Sequence, residues 1–269
     1  MVQQQPIRSS DRMPVVFVGH GSPMNGIEDN RWSRGFALLR EQVPRPAAIL
    51  AISAHWYVKG SYVSANIHPP TIHDFGGFPQ ALYDMEYPAP GDLALAASVR
   101  ALLGKEHVQL SEDWGLDHGI WTVLHWMYPE ADIPVVQLSM DRRLDVRQHF
   151  AIGKALAALR EQNILIMASG NIVHNLHDAF GQMQAGTSVT PEWASRFDTA
   201  VRQALLAHDN ETLLSLWPDH ADAKLAHPSP EHWLPLIYAA GAAHESEQVS
   251  FPTEGFDWGS LSMRNVIFG

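Results

Sequence analysis

Short runs of consecutive apolar residues alternate along this chain with stretches of helical periodicity. The run at 13–19 (MPVVFVG) predicts a buried strand that stops at the turn signal His20-Gly21-Ser22-Pro23. Residues 32–42 have helical character, with Phe36 and Leu39 on one side, and the run at 46–54 (PAAILAISA) predicts a second buried strand ending in His55-Trp56. Strand, helix, strand implies parallel pairing, so both strands end at one edge of a sheet, where open α/β sheets bind ligands. A third strand is expected at 61–67, then a long Pro-, Gly- and aromatic-rich loop at 68–90, a length that usually signals function. Beyond it the pattern predicts a helix at 93–103 stopped by Gly104, a short strand around Val108 and Leu110, a loop at 114–119 and a helix at 120–127. A buried strand at 133–140 (IPVVQLSM), a helix at 146–160 and a buried strand at 164–169 (ILIMAS) follow, the last running into Gly170-Asn171 and then His174. A helix at 192–208, an apolar helix after Glu231-His232-Trp233, and strands at 248–251 and 261–268 complete the chain, the last strand antiparallel at an edge. With no repeat, low-complexity block or linker, the expectation is a polar segment at 1–12 and one α/β domain at 13–269, its central, mostly parallel mixed sheet flanked by helices.

Composition narrows the chemistry. Among 269 residues there is no cysteine, which removes disulfides, thiolate metal sites, a cysteine nucleophile and iron–sulfur clusters. Any metal must be held by His, Asp, Glu or backbone oxygen. A net charge of −11 disfavours nucleic acid and anionic membrane as partners. The N-terminal residues lack the apolar core of a signal peptide, and no stretch approaches the roughly 18 apolar residues of a membrane span. A cytoplasmic monomer or small homo-oligomer is expected.

The distinctive number is 15 histidines. His20, His55 and His174 each follow a predicted strand, and His232 comes from a later loop at a helix start. Fe(II) and Zn(II) accept imidazole well, commonly with three protein ligands and open positions for substrate. The bland reading of any one of them is a structural or exposed histidine, and the chain holds neither HExxH nor HxH. GHGSP lacks the lysine of a phosphate-binding loop, and Ser169-Gly170 lacks the surroundings of a nucleophile elbow. His177 reads as exposed and His125 as packing.

The blocks GHGSPMN (19–25), SAHW (53–56), TIHDFGGFPQALYDMEYPAPG (71–91), GLDHG (115–119), VVQLSM (135–140), SGNIVHNL (169–176) and HPSPEHWLPL (227–236) occur in order. Together they resemble the DOPA 4,5-dioxygenase branch of the class III extradiol ring-cleavage dioxygenases. The resemblance implies an α/β fold with one mononuclear divalent metal, Fe(II) for activity, with Zn(II) able to replace it in isolated protein. It implies His20, His55 and His232 as ligands, His174 as the acid/base residue beside the metal, and His118 lining the same pocket. The wider class uses two histidines and a carboxylate, which leaves Glu231 as the alternative third ligand. The implied partners are a small catechol-type aromatic and O2, with seco-DOPA as the product if the substrate is DOPA. His73, Asp74 and Phe75, on the long loop, are candidate substrate contacts, although Asp74 equally fits a turn or cap residue. No arginine pair for a substrate carboxylate is evident. A zinc hydrolase on the same histidines and a non-enzymatic binding protein of the same fold are the rival readings.

Overall fold

In a computed structural model, which describes residues 12–269, the apolar runs pair in the middle of one eight-stranded sheet. Its strands are β1 (Val15–Gly19), β2 (Ala48–Val58), β3 (Ser61–Ser64), β4 (Val108–Ser111), β5 (Val135–Asp141), β6 (Ile164–Gly170) and β7 (Val249–Ser250). After β7 the chain forms a separate hairpin, β8 (Phe256–Asp257) with β9 (Leu261–Ser262), and returns to the sheet as β10 (Val266–Phe268). The order is β4-β3-β5-β2-β6-β1-β10-β7. Strands β5, β2, β6 and β1 are mutually parallel, while β3 and β10 join their neighbours β5 and β1 antiparallel. The expected segment 1–12 lies, except for Arg12, outside the described residues.

The parallel strands are apolar along their whole length because both faces are covered. Val15 and Phe17 of β1 share one face with Leu50, Ile52, Ile166 and Ala168. Val16 and Val18 share the other with Ile49, Ala51, Leu165 and Met167, the alternation that a pleated strand imposes. Helices α1 (Arg31–Gln42), α2 (Gln80–Tyr83), α3 (Leu93–Leu103), α4 (His118–Met127), α5 (Val146–Leu156), α6 (Leu176–Gln184), α7 (Glu192–Leu206), α8 (Asn210–Asp219), α9 (Ala223–Ala226) and α10 (Leu234–Ala242) make up the layers. The first layer packs α3, α5, α7, α8 and α10 on the sheet, and the second packs α1 and α4.

Several boundaries differ from the sequence reading. Strand β2 does not stop at Ala54; it continues to Val58 across a register shift between Ile52 and Tyr57, so His55 sits within a bulged strand. Helix α4 begins at His118, two residues earlier than the pattern indicates. The helix expected to reach 160 gives way at Ala157 to a 3-10 turn, and the expected strand at 261–268 divides into β9 and β10. Helices α6 and α8 had no counterpart in the sequence reading.

Helices α5 and α10 approach through glycine. A Cβ on Gly153 would lie 2.3 Å from the Tyr238 carbonyl oxygen, and one on Gly241 would lie 2.3 Å from that of Phe150. Because α10 starts just after His232, this contact also fixes the height of that imidazole above the sheet. Gly153→Ala should therefore lower the urea midpoint, the overpacking cost of ~1–3 kcal/mol exceeding the ~0.5–1 kcal/mol of helix propensity gained. A midpoint that stays or rises would show that the two helices part freely.

At the same interface His149 is buried, with Nδ1 2.9 Å from the Tyr238 hydroxyl and Nε2 without a partner. Burial pushes its pKa down to about 4, against about 6.5 in an unfolded chain. The folded state therefore resists a proton that the unfolded state accepts. Its contribution, on the order of 3 kcal/mol, is complete above pH ~6.5 and is lost as pH falls toward 4. His149→Gln should flatten the Tm–pH curve between those limits; an unchanged slope would show that His149 does not titrate on unfolding.

Candidate metal centre

Five imidazoles, those of His20, His55, His118, His174 and His232, line one cavity of about 430 Å³ over the carboxyl ends of the parallel strands. His20 follows the last residue of β1, and its neighbours are glycines for physical reasons. A Cβ on Gly19 would meet the Ser262 carbonyl at 2.7 Å, and Gly21 has φ +64°, which favours glycine. The backbone N–H of His20 donates to the Gly170 carbonyl at 3.0 Å, which ties β1 to the end of β6. His55 projects from the irregular part of β2, where a bulge re-aims a side chain that regular pleating would direct elsewhere. Its backbone N–H donates to Ser53 Oγ at 3.2 Å. His174 is bridged to Leu261 of β9, and its N–H donates to the Ala226 carbonyl. His232 is held by its own carbonyl, which accepts from the Asn171 N–H at 3.0 Å.

Hydrogen bonds at the far side of two rings fix where their lone pairs point. Ser169 Oγ donates to the Gly119 carbonyl, so the 2.8 Å contact with His20 Nδ1 must be a bond that His20 donates. His55 Nδ1 lies 3.1 Å from Asp74 Oδ2, a carboxylate oxygen that can only accept. Each ring therefore keeps its Nε2 lone pair on the cavity side, and these two atoms face each other at 3.2 Å. With both rings neutral two lone pairs meet there, and either a metal ion between the rings or a proton on His55 Nε2 satisfies them. The spacing suits a common ion held at ~2.0–2.1 Å from each nitrogen. His232 adds to the demand, because it is buried and neither ring nitrogen has a hydrogen-bond partner.

Two arrangements supply a third nitrogen. Donor atoms of His20, His55 and His118 all fall within 4.8 Å of one another. The His232 ring lies 5.3 Å from that of His20 and 5.2 Å from that of His55, centroid to centroid, and stacks on His174 at 3.5 Å. Both rings have a carboxylate oxygen near Nδ1, Asp74 Oδ1 at 3.0 Å for His118 and Glu231 Oε1 at 3.5 Å for His232. Glu231 is not part of the cavity wall; its Oε1 accepts from Ser229 Oγ at 2.8 Å.

Electrostatics match this geometry. Burial, then the neighbouring imidazoles, hold His20, His174 and His232 well below the ordinary histidine pKa. Burial and His55 also lower His118, against the pull of Asp74. His55 alone of the five is raised: burial opposes its charge, but the hydrogen bond to Asp74 and the nearby Asp117 outweigh it. Asp74 is held far below the usual carboxylate range, since its contacts with His118 and His55 overcome the burial that would raise it. The site thus presents mostly neutral rings, the form that binds metal.

The three loop candidates have different fates. Asp74 does more than its turn reading allows. Besides meeting both imidazoles, its Oδ1 accepts the His118 backbone N–H at 2.9 Å and so serves the first turn of α4. The nominal cap, Asp117, is engaged elsewhere, accepting from Ser53 Oγ at 2.6 Å and from Gln137 Nε2. Phe75 lines the cavity, its ring centroid 5.5 Å from that of His118. His73 does not. Its Nε2 lies 3.0 Å from the Met85 carbonyl and its ring packs among Phe75, Tyr83 and Trp121. The sequence reading weighed Ser169 only as a nucleophile and missed its place behind His20, and it missed the cavity walls supplied by α6 and the β8–β9 hairpin.

Residues 15–269 match the family described as the catalytic LigB subunit of aromatic ring-opening dioxygenase. The chain is 48% identical over 266 residues to the 4,5-DOPA dioxygenase extradiol of Escherichia coli (strain K12), covering 98% of this chain and 97% of that protein. It is 40% identical over 260 residues to the 4,5-DOPA dioxygenase extradiol of Beta vulgaris, covering 94% and 96%. A crystal structure of an uncharacterized Escherichia coli K12 protein superposes with a TM-score of 0.84 at 43% identity, over 96% of this chain and 100% of that one.

Outer carboxylates that orient ligating imidazoles typically contribute 10–100-fold to metal affinity. Asp74→Asn keeps the shape and removes the charge, and it should weaken divalent-metal binding by that factor in a competitive chelator titration. Unchanged affinity would show that the imidazoles orient themselves without it.

Proposed function

The chain belongs to the aromatic ring-opening dioxygenase family of the LigB catalytic subunit, and we propose that it inserts both atoms of O2 into a catechol-type aromatic, opening the ring beside the diol. The product then retains every atom of both reactants. The observation that carries this reading is the pair of opposed Nε2 lone pairs of His20 and His55, with the unpartnered His232 beside them, at the floor of a cavity with aromatic walls. In this proposal His20, His55 and His232 hold one divalent metal, and His118, whose Nδ1 faces Asp74, is left for hydrogen bonding. A metal bound there supplies Lewis acidity toward the catechol oxygens and, when it is Fe(II), the redox capacity that O2 chemistry requires.

The remaining roles follow from the protein's own groups. His174 is kept neutral by burial and by His232, so at neutral pH its ring has a free lone pair that can take a proton from a substrate hydroxyl. It returns that proton as the ring opens, in the manner of general acid–base catalysis. Phe75, edge-on to His118, bounds the space for the substrate ring. Asp74 keeps His55 in the tautomer whose Nε2 faces inward. The names of the relatives support L-DOPA, cleaved at the 4,5 bond to seco-DOPA, as one compound that the site opens.

Protein reconstituted anaerobically with Fe(II) should consume O2 on mixing with simple catechols and give the yellow ring-opened semialdehyde. His174→Ala should retain most of the metal and lose ~10²–10⁴-fold in turnover. Absence of uptake in protein shown to hold Fe(II) would sink the ring-opening proposal, and full turnover in the variant would remove His174 from the proton-transfer role.

A further inference from the structure

From the walls of the same cavity, and resting on the ring-opening reading above, we infer that the preferred substrates are catechols whose ring substituent is uncharged and apolar, in preference to amino-acid or carboxylate-bearing catechols such as DOPA. Above the imidazoles the cavity is walled by Phe75, Phe78, Leu176, Phe180, Met183 and Trp258. Among the described residues no arginine or lysine lines it, and its one carboxylate, Asp74, is already committed to two imidazoles. A substituent carboxylate would leave water without a cationic partner, whereas an alkyl or aryl chain would leave water for a matching surface.

The wall on α6 is an independent sign of the same preference. Leu176, Ala179, Phe180 and Met183 repeat at i, i+3, i+4 and i+7, the spacing of one helical face. Such a stripe ordinarily faces a core, yet Leu176, Phe180 and Met183 are 45%, 51% and 43% exposed. The stripe instead faces the cavity mouth, where an apolar substituent would cover it. The opposite wall is built at a conformational cost. Trp258, in the turn between β8 and β9, has φ +44°, a backbone region that a bulky side chain rarely adopts. The hairpin holding it is bridged through Leu261 to His174, so this wall is anchored to the floor of the site.

The test compares 4-propylcatechol with 3-(3,4-dihydroxyphenyl)propanoate, which replaces the terminal methyl by a carboxylate, and with L-DOPA. With the Fe(II)-loaded protein, kcat/KM should favour 4-propylcatechol at least tenfold over either charged compound. Equal or better use of the propanoate or of L-DOPA overturns the inference. Phe180→Arg places a cation on the α6 wall and should narrow the propyl-to-propanoate ratio at least threefold; an unchanged ratio removes α6 from the substituent site. Met183→Arg serves the same purpose should the first variant not fold. If none of the three compounds supports O2 uptake, the ring-opening reading fails separately. Equilibrium dialysis with anaerobic metal-loaded protein then decides the inference, since 4-propylcatechol binding tenfold tighter than the propanoate supports it and equal Kd values overturn it.

Discussion

The two lone pairs of His20 and His55, facing each other at 3.2 Å, are the constraint to which the surrounding structure answers. An apolar interior does not bring two acceptors together unaided, and each of these is locked in that tautomer from behind, one by Ser169 and the other by Asp74. The locking groups are themselves committed. Ser169 donates to the Gly119 carbonyl at the start of α4, and Asp74 accepts the backbone N–H of His118 one residue earlier. The N-terminus of α4 is therefore the hub through which the long loop, β2 and β6 are placed relative to one another. In the proposed centre a metal ion satisfies both nitrogens at this point.

That dependence explains the spread of the elements that carry the proposed ligands. Parallel strands deliver His20 and the anchor of His232 to one edge of the sheet, but they cannot deliver His55, whose regular pleating is interrupted to aim it. His232 comes from the turn before α10, and α10 is held through glycine contacts with α5 on the far side of the sheet. The proposed ligands are thus mounted on elements of the packed core, as preorganised ligation requires.

Much of this was legible in the sequence, and what was not has identifiable causes. Continuous apolar runs mark strands buried on both faces, so β1, β2, β5 and β6 and the parallel sheet could be read directly. So could His20 and His174 just beyond their strands. The true end of β2 could not, because backbone pairing continues through His55-Trp56-Tyr57 after the uniform apolar run has ended. The start of α4 was missed because the apolar periodicity begins only at Ile120, while Asp117 at the N-cap bonds Ser53 and Gln137 and the carboxylate that accepts the His118 N–H lies 44 residues away in Asp74. His73 and Asp74 were indistinguishable as candidates, since which of two adjacent loop residues faces a cavity depends on tertiary placement alone. The chain-order blocks that resemble the extradiol dioxygenases were more informative about the site than spacing was, because they carry the distant partners together.

The separation between floor and walls bears on how the site discriminates. The floor offers nitrogen donors, buried and mostly neutral, which respond to the diol that every catechol shares. Its metal-binding atoms cannot distinguish one substituent from another. In the proposed arrangement the walls of α6 and the β8–β9 hairpin meet whatever the ring carries, while Phe75 bounds the ring itself. On that proposal chemistry and selectivity fall to different elements, the selective ones being helix and hairpin surfaces above the floor. A cationic residue on such a wall would suit an acidic substituent, and among the described residues none lines it, a property of this chain's walls separate from the residue blocks that place it in its family.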